Sequence, residues 1–422
     1  MNLSDYFKYS VFANLSYIKW GEKASIGTQS DPRPRIRGAV EGFRVPEDLA
    51  TQIVRDDQWY IPTTNGFVPN DPSGFAANVF VKGNSNEKIL AIRGTETDTS
   101  LFPIDLLSAD LYEIPLYGLA LHQAVSLIKY VLLLKTPVGS TTNQFTLRVE
   151  AFLGSQPPDA RFITSRFNQF NIWLEPTTRK DGLGVLSASD TITVTGHSLG
   201  GHLAALALRL CPGLFGQGVT FNAAGFDNFI CDKLTDEFVE LFAKMLPQEN
   251  PAANFTSLQS KLFTVEAESA RPGDDADFVP SRWTGADPAF PDPTLIRTEA
   301  NSHSMDQLQD NLAIHSLIER LGVSRSVETV FSLYDAASAN GDRSSEVLVS
   351  ADSDPAGPLR STLRRASRIA GDLNQHLFDT IYHATALETP DAVLVTADIR
   401  YLKAASALGG FRSLAEWARA RV

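Results

Sequence analysis

The sequence predicts an α/β protein in which helices flank a mostly parallel central sheet, with a small C-terminal α/β appendage. Short β-branched and apolar runs, such as residues 76–82, alternate with helical runs such as residues 119–134. The stretch 191–210, TITVTGHSLGGHLAALALRL, passes from a strand through a glycine-rich turn directly into a helix. The chain of 422 residues has room for a large domain, predicted at 1–350, and a smaller one at 351–422.

The composition is that of a soluble globular protein, with 43% hydrophobic and 20% charged residues. A formal charge of −12 argues against binding nucleic acid or an anionic membrane through bulk charge. The two cysteines, Cys211 and Cys231, provide neither a disulfide framework nor a CxxC motif, so we interpret them as buried thiols. No apolar run is long enough to span a bilayer. Without the pattern of a secretory signal, we expect a cytoplasmic protein or one exported by a signal-independent route.

The N-terminal third predicts one helix followed by a hairpin. Phe7, Val11 and Leu15 recur at helical spacing and indicate a packed amphipathic helix. A loop and a short helix at 46–56 follow, and then two strands at 76–82 and 88–93, which the turn sequence Gly-Asn-Ser-Asn separates.

The second of these strands ends in Arg93-Gly94-Thr95. A small hydroxyl residue at such a strand end can offer its backbone N–H to an oxyanion, and the alternative is a plain strand end. Residues 99–118 are rich in apolar side chains, and periodicity does not distinguish a lid over the site from a core helix. A long helix is predicted at 119–134, whereas residues 136–190 are mixed and polar and favour no element.

The turn Gly196-His197-Ser198-Leu199-Gly200 has the G-x-S-x-G pattern of a nucleophile turn. Such a turn between a strand and a helix lifts the serine hydroxyl clear of the sheet and aims the next backbone N–H at the same point. Glycines are needed there because side chains would collide with the neighbouring elements. The alternative is an ordinary glycine-rich turn with an inert serine.

Beyond this turn the sequence predicts a buried strand at 218–224, a helix at 228–244 and a strand at 261–269. The last strand leads into an acidic loop that contains Asp274, Asp275 and Asp277. A strand and an acidic loop well after the nucleophile suit the acid of a triad in the order Ser, Asp, His, although each aspartate could instead be a solvated loop charge.

His303 is the histidine best placed to serve as a general base. It stands just before a helical run in which Ser304 and Gln307 have the spacing of a capping box. A general base needs such a fixed position with access to solvent. The other candidates are less suitable: His315 and His202 have the positions of packed residues, and His122 breaks the chain order.

Four motifs together resemble the class 3 (fungal-type) lipase family in its bacterial branch: GHSLGGH at 196–202, AIRGT at 91–95, DFVP at 277–280 and SHSM at 302–305. The resemblance covers about residues 5–345. It implies the α/β-hydrolase fold and a serine esterase that acts on triacylglycerols or phospholipids, with no metal or organic cofactor and transient contact with a lipid surface.

The resemblance also implies the roles of individual residues. Ser198 matches the nucleophile and His303 the catalytic base, while Thr95 and Leu199 match the residues whose backbone N–H groups form the oxyanion hole. Asp277 best matches the triad acid because it precedes Phe278-Val279-Pro280, but Asp274 and Asp275 remain alternatives because this loop is longer than usual.

Residues 377–422 resemble the C-terminal half of a PIN-domain nuclease, and Asp379 and Asp398 match two of its acidic Mg²⁺-binding positions. The N-terminal half of such a domain is not recognisable, and two carboxylates alone bind Mg²⁺ poorly. We interpret residues 351–422 as a helical linker followed by this PIN-like half-domain, which is a structural appendage or a degenerate half-domain. The alternative functions are a PIN-like ribonuclease or toxin-type module on a hydrolase scaffold, and a non-catalytic protein of hydrolase fold.

Overall fold

The computed structural model describes two compact parts of the chain. The described residues are 1–18, 59–62, 67–68, 71–83, 85, 87–94, 118–151, 161–166, 170–226, 234–269, 291–298, 303, 305, 308–309, 311–312, 315–316, 383–384, 386–387, 393–396, 399–406 and 408–413. The first compact unit comprises Met1–Glu268, Asp275–Ile296 and His303–Leu321, and the second Ser269–Asp274, Arg297–Ser302 and Gly322–Val422. The predicted boundary at 350 and the predicted helix at 46–56 lie outside the described residues.

The described elements are thirteen strands, five α-helices and two short 3-10 helices at Pro247–Glu249 and Thr256–Leu258. The strands are β1 (Trp59–Tyr60), β2 (Phe67–Val68), β3 (Ala77–Lys82), β4 (Lys88–Ile92), β5 (Thr141–Ala151), β6 (Arg161–Arg166), β7 (Phe170–Asp181), β8 (Ile192–His197), β9 (Phe215–Phe221), β10 (Leu262–Ser269), β11 (Thr294–Thr298), β12 (Leu394–Thr396) and β13 (Phe411–Ser413). The helices are α1 (Leu3–Leu15), α2 (Leu121–Lys135), α3 (Leu199–Leu210), α4 (Leu234–Met245) and α5 (Ile399–Ala404).

An eight-stranded sheet forms the centre of the fold, in the order β1-β3-β4-β8-β9-β10-β11 with β2 paired to β3. Strands β4, β8, β9 and β10 run parallel to one another, whereas the β3–β4 hairpin is antiparallel. Ile92 of β4 pairs with Gly196 of β8, so both strands reach the same edge of the sheet together. The predicted α/β class, with a mostly parallel sheet flanked by helices, is confirmed.

The two faces of the sheet carry two separate apolar cores. Alternating side chains divide between them: Leu90 and Ile92 belong to the core shared with α2, α3 and α4, while Ile89 and Ala91 belong to the core shared with α1. Helix α1 begins with a capping box between Asn2 and Asp5 and buries its aromatic face on the second core. The alternation follows from the two-residue period of a strand.

A second, three-stranded antiparallel sheet in the order β5-β7-β6 occupies much of the polar stretch for which the sequence favoured no element. Phe145 and Leu174 join the core on the helical side, whereas Thr146 and Arg179 are exposed. These strands escape sequence reasoning because their outward faces are polar and a bulge between Thr142 and Gln144 interrupts the alternation.

The predicted elements of the central sheet match the observed ones with small differences at their ends. The strand expected to reach residue 224 ends at Phe221, because Asn222 adopts a left-handed conformation with φ of 44°. The helix expected at 228–244 is described from Leu234 to Met245. Among the residues that the structure describes, no helix is both long and apolar enough to cross a lipid bilayer.

In the second unit, β12 and β13 are parallel neighbours connected through α5. The buried His383 links this unit internally: its Nδ1 lies 2.9 Å from the Tyr401 hydroxyl and its Nε2 2.6 Å from the Gly409 carbonyl oxygen. Asp379 and Asp398, the predicted metal-binding positions of the tail, lie outside the described residues.

Candidate active site

Ser198 occupies a sharp turn between the end of β8 and the start of α3. Its backbone has φ of 57° and ψ of −126°, a conformation that non-glycine residues rarely adopt. The turn closes tightly because a Cβ on Gly196 would collide with the Gly200 backbone, and one on Gly200 would collide with the Ile92 carbonyl oxygen. The glycines of the motif therefore allow the turn to pack against both its own helix and strand β4.

The turn points the Ser198 hydroxyl at a histidine from a distant part of the chain. The Nε2 atom of His303 lies 3.1 Å from Ser198 Oγ, within hydrogen-bond distance. Both side chains are partly exposed, so the pair is open to a reactant. A serine hydroxyl at this distance from an imidazole nitrogen can lose its proton to that nitrogen as the oxygen attacks an electrophile.

The backbone next to Ser198 offers a donor for a developing negative charge. Leu199 is the first residue of α3, so its N–H has no acceptor within the helix and lies at the positive end of the helix dipole. The end of β4 also passes beside the serine, since a Cβ built on Gly94 would lie 3.3 Å from the Ser198 Cβ. Thr95, the second predicted oxyanion residue, lies outside the described residues.

The three candidates for the triad acid, Asp274, Asp275 and Asp277, also lie outside the described residues. The strand that leads to them is described. Val265 of β10 pairs with Phe221 of β9, which in turn pairs with His197. Strand β10 therefore continues to Ser269 beyond the level at which β8 delivers Ser198, on the same edge of the sheet.

Two residues that sequence reasoning did not select also meet at this site. The Nε2 atom of His197 lies 2.8 Å from the backbone oxygen of His303, and its Nδ1 atom lies 2.8 Å from the Tyr17 hydroxyl. Burial, together with the neighbouring His303 imidazole, lowers the pKa of His197 to about 3, so its imidazole is neutral. Its position in G-x-S-x-G was the available sequence signal, whereas nothing local distinguishes Tyr17.

The remaining histidines of this unit have packing environments. His202 is fully buried and stacks on Phe226 with ring centroids 4.0 Å apart, and its Nδ1 donates to the Gly225 carbonyl oxygen at 3.1 Å. Burial lowers the pKa of His202 and of His315 to about 4 in each case. His122 lies exposed on α2. In the described part of the chain, no three His, Cys, Asp or Glu side chains cluster closely enough to hold a metal ion.

These distances and packing relations place a hydroxyl, an imidazole and a helix N-terminus around one point at the edge of the sheet. Neither a model of a known protein family nor a curated protein matches this sequence.

Proposed function

We propose that this protein is a serine esterase of the α/β-hydrolase fold that cleaves acyl esters of lipids through an acyl-enzyme. The observation that carries the proposal is the 3.1 Å approach of His303 Nε2 to the hydroxyl of Ser198, which stands on a strained strand-to-helix turn. A merely structural serine gains nothing from such backbone strain, whereas a nucleophile needs the exposure that the strained turn provides.

In the first half of the proposed reaction, the Ser198 oxygen attacks the ester carbonyl carbon while His303 Nε2 accepts the hydroxyl proton. The tetrahedral intermediate collapses when His303 returns that proton to the departing alcohol oxygen. Water then attacks the acyl-serine ester, with the same imidazole accepting its proton and later delivering it to Ser198 Oγ. The products are a fatty acid and an alcohol, and the histidine ends in its starting state.

The proposed oxyanion hole combines the Leu199 N–H with that of Thr95. Leu199 supports this role through its place at the start of α3, and Gly94 supports it by bringing the chain before Thr95 against the serine. Loss of one such donor typically costs about 3–4 kcal/mol of transition-state stabilisation. Asp277, or one of its neighbours Asp274 and Asp275, is the proposed acid that orients the His303 imidazole.

The substrate class rests on apolar surroundings and on the lipase resemblance. Leu199, Ala120 and Ala224 form a small apolar cluster next to the nucleophile, separate from the two main cores. Apolar surroundings beside the nucleophile favour the hydrocarbon of an acyl chain over a charged group. The apolar segment 99–118, for which the sequence leaves a lid and a core helix open, lies outside the described residues except for Gly118.

The test compares the wild type with Ser198→Ala in two assays: hydrolysis of p-nitrophenyl esters of increasing acyl length, and labelling by a fluorophosphonate probe. We expect Ser198→Ala to lose at least about 1,000-fold of the esterase activity and all of the labelling. His303→Ala should show a comparable loss. Equal hydrolysis by wild type and Ser198→Ala would overturn the proposal.

A further inference from the structure

A chain of two hydrogen bonds ties the N-terminal segment to the backbone of His303. Tyr17 lies just after α1, and its hydroxyl is 2.8 Å from His197 Nδ1. The other ring nitrogen, His197 Nε2, lies 2.8 Å from the His303 carbonyl oxygen. Residues 180 positions apart make the first bond, and residues 106 apart make the second. His197 is 5% exposed, so water competes little for these bonds.

The direction of both bonds follows from the acceptor at one end. A carbonyl oxygen only accepts, so His197 Nε2 must carry a hydrogen and donate it. The imidazole is neutral because of its low pKa, so it holds a single ring hydrogen and Nδ1 is an acceptor. The Tyr17 hydroxyl must therefore donate to Nδ1. Tyr17 thus selects the tautomer that allows His197 to hold the His303 backbone.

This chain closes a ring with the proposed nucleophile. His197 and Ser198 are covalent neighbours, His197 holds the main chain of His303, and the His303 side chain returns to Ser198 Oγ at 3.1 Å. The His197 and His303 rings lie against each other with centroids 4.9 Å apart. Any movement of the His303 backbone away from the serine must break the bond to His197 or displace the end of β8.

We propose that His197 and Tyr17 are positioning residues for catalysis: His197 fixes the backbone of His303, and Tyr17 fixes the tautomer of His197. This inference rests on the proposed esterase function and deepens it. The imidazole must exchange a proton with Ser198, the leaving alcohol and water without drifting. A displacement of about 1 Å in such a group can cost about 100-fold in rate.

The first test measures kcat and KM for a p-nitrophenyl ester in His197→Leu and His197→Gln. We expect His197→Leu to lower kcat by about 100-fold and to leave KM within about 3-fold, because the substitution misplaces the base without removing a group that contacts the substrate. Glutamine keeps an N–H near the position of Nε2, so His197→Gln should recover most of kcat. A full kcat in a folded His197→Leu protein would overturn the role of His197.

The second test is a double-mutant cycle that needs no disruptive substitution. Tyr17→Phe should lower kcat by about 10-fold in the wild type, the value of roughly one hydrogen bond. The same change should cost less than about 2-fold in the His197→Gln background, because an amide has no tautomer to select. Equal losses in both backgrounds would show that Tyr17 acts through packing and would overturn its role.

A third measurement does not depend on activity. ¹⁵N NMR of the imidazole nitrogens should show His197 as the neutral Nε2–H tautomer in the wild type, and a share of the Nδ1–H tautomer in Tyr17→Phe. A doubly protonated or Nδ1–H imidazole in the wild type would overturn the inference. Absence of Ser198-dependent hydrolysis with the expected NMR result would instead overturn the esterase proposal and, with it, the catalytic role of the chain.

Discussion

Ser198 and His303 meet at 3.1 Å although 105 positions separate them in the sequence. The two reach this point by different routes. Ser198 follows a strand in the middle of the sheet, whereas His303 follows the strand β11 at the end of the described strand order and precedes helical residues such as Met305. Strands β4, β8, β9 and β10 are parallel, so Ser198 lies at the edge formed by their carboxyl ends, where ligands bind in open α/β sheets. The segment after β11 brings His303 to the same point.

Gly94→Ala should damage this meeting point directly. The new methyl group would lie 2.5 Å from the His197 carbonyl oxygen and would collide with the Tyr17 hydroxyl. We expect a loss of about 1–3 kcal/mol in the free energy of unfolding, which denaturant titration measures, and at least about 10-fold in esterase activity.

Gly213→Ala is the matched control for that substitution. A Cβ at Gly213 would meet no atom within 4 Å, so stability should stay within about 1 kcal/mol of wild type and activity should be unchanged. If Gly94→Ala had the same stability and activity as Gly213→Ala, the end of β4 would not be packed closely against the nucleophile turn.

The nucleophile turn was predictable because its signal is local. Strand, glycines, serine and helix lie within twenty consecutive residues, and each has a separate physical reason to be there. His303 was selected by its place in the chain order and by the helix start after it, and the structure brings it to Ser198. The parallel sheet followed from strands and helices in alternation.

The other features of the site and fold depend on contacts between distant residues, which no local sequence pattern contains. Tyr17 looks like any aromatic residue at the end of an amphipathic helix, and its bond to His197 exists only after α1 packs beneath β8. The antiparallel sheet β5-β7-β6 leaves no clear pattern in the sequence because only a few of its side chains, such as Phe145 and Leu174, reach the core. The outward-facing side chains of these strands are polar, so the sequence of this segment resembles that of a loop.

The stability of the protein should fall as the pH drops below about 6.5. Burial depresses the pKa of His197 to about 3 and those of His202 and His315 to about 4, whereas an unfolded histidine titrates near 6.5. The unfolded chain therefore binds more protons than the folded one between these values, so the stabilisation is present above about 6.5 and is lost below it.

Denaturant titrations at about pH 7.5 and pH 5 check this dependence. Each of the three histidines should lower the free energy of unfolding by about 2 kcal/mol between pH 7.5 and pH 5. His315→Leu, which removes one of them away from the proposed site, should reduce the difference between the two pH values by about that amount. An unchanged difference would mean that His315 is protonated, or exposed to water, in the folded protein.

The ion pair between Lys88 and Asp190 should contribute more to stability than the more exposed pair between Lys8 and Glu87. Both side chains are about a tenth exposed, and Asp190 also accepts a hydrogen bond from the Ser187 backbone at 2.7 Å. Burial alone would raise the pKa of Asp190, but its bonds to Lys88 and Ser187 outweigh that effect and hold the pKa below its ordinary value.

Asp190→Asn removes the carboxylate beside the part-buried Lys88 ammonium, which keeps the Val185 carbonyl oxygen as an acceptor, and we expect it to cost about 1.5–3 kcal/mol of unfolding free energy. The control is Glu87→Gln, which breaks the pair with Lys8. Those side chains are about a third exposed, so the cost should be below about 1 kcal/mol. Similar costs for the two substitutions would show that the Lys88 charge remains hydrated.

The backbone strain at Ser198 should be measurable as a difference between two inactive variants. Ser198→Ala keeps a Cβ in the strained conformation at φ of 57° and ψ of −126°, whereas Ser198→Gly removes it. Such strain costs of order 1–3 kcal/mol, which the glycine variant avoids. Glycine also makes the unfolded chain more flexible, and this effect offsets part of the stability gained. We therefore expect Ser198→Gly to be more stable than Ser198→Ala by about 1 kcal/mol in urea titrations. The opposite order would mean that the serine backbone relaxes in solution, and the turn would then lose the rigidity on which the placement of the nucleophile depends.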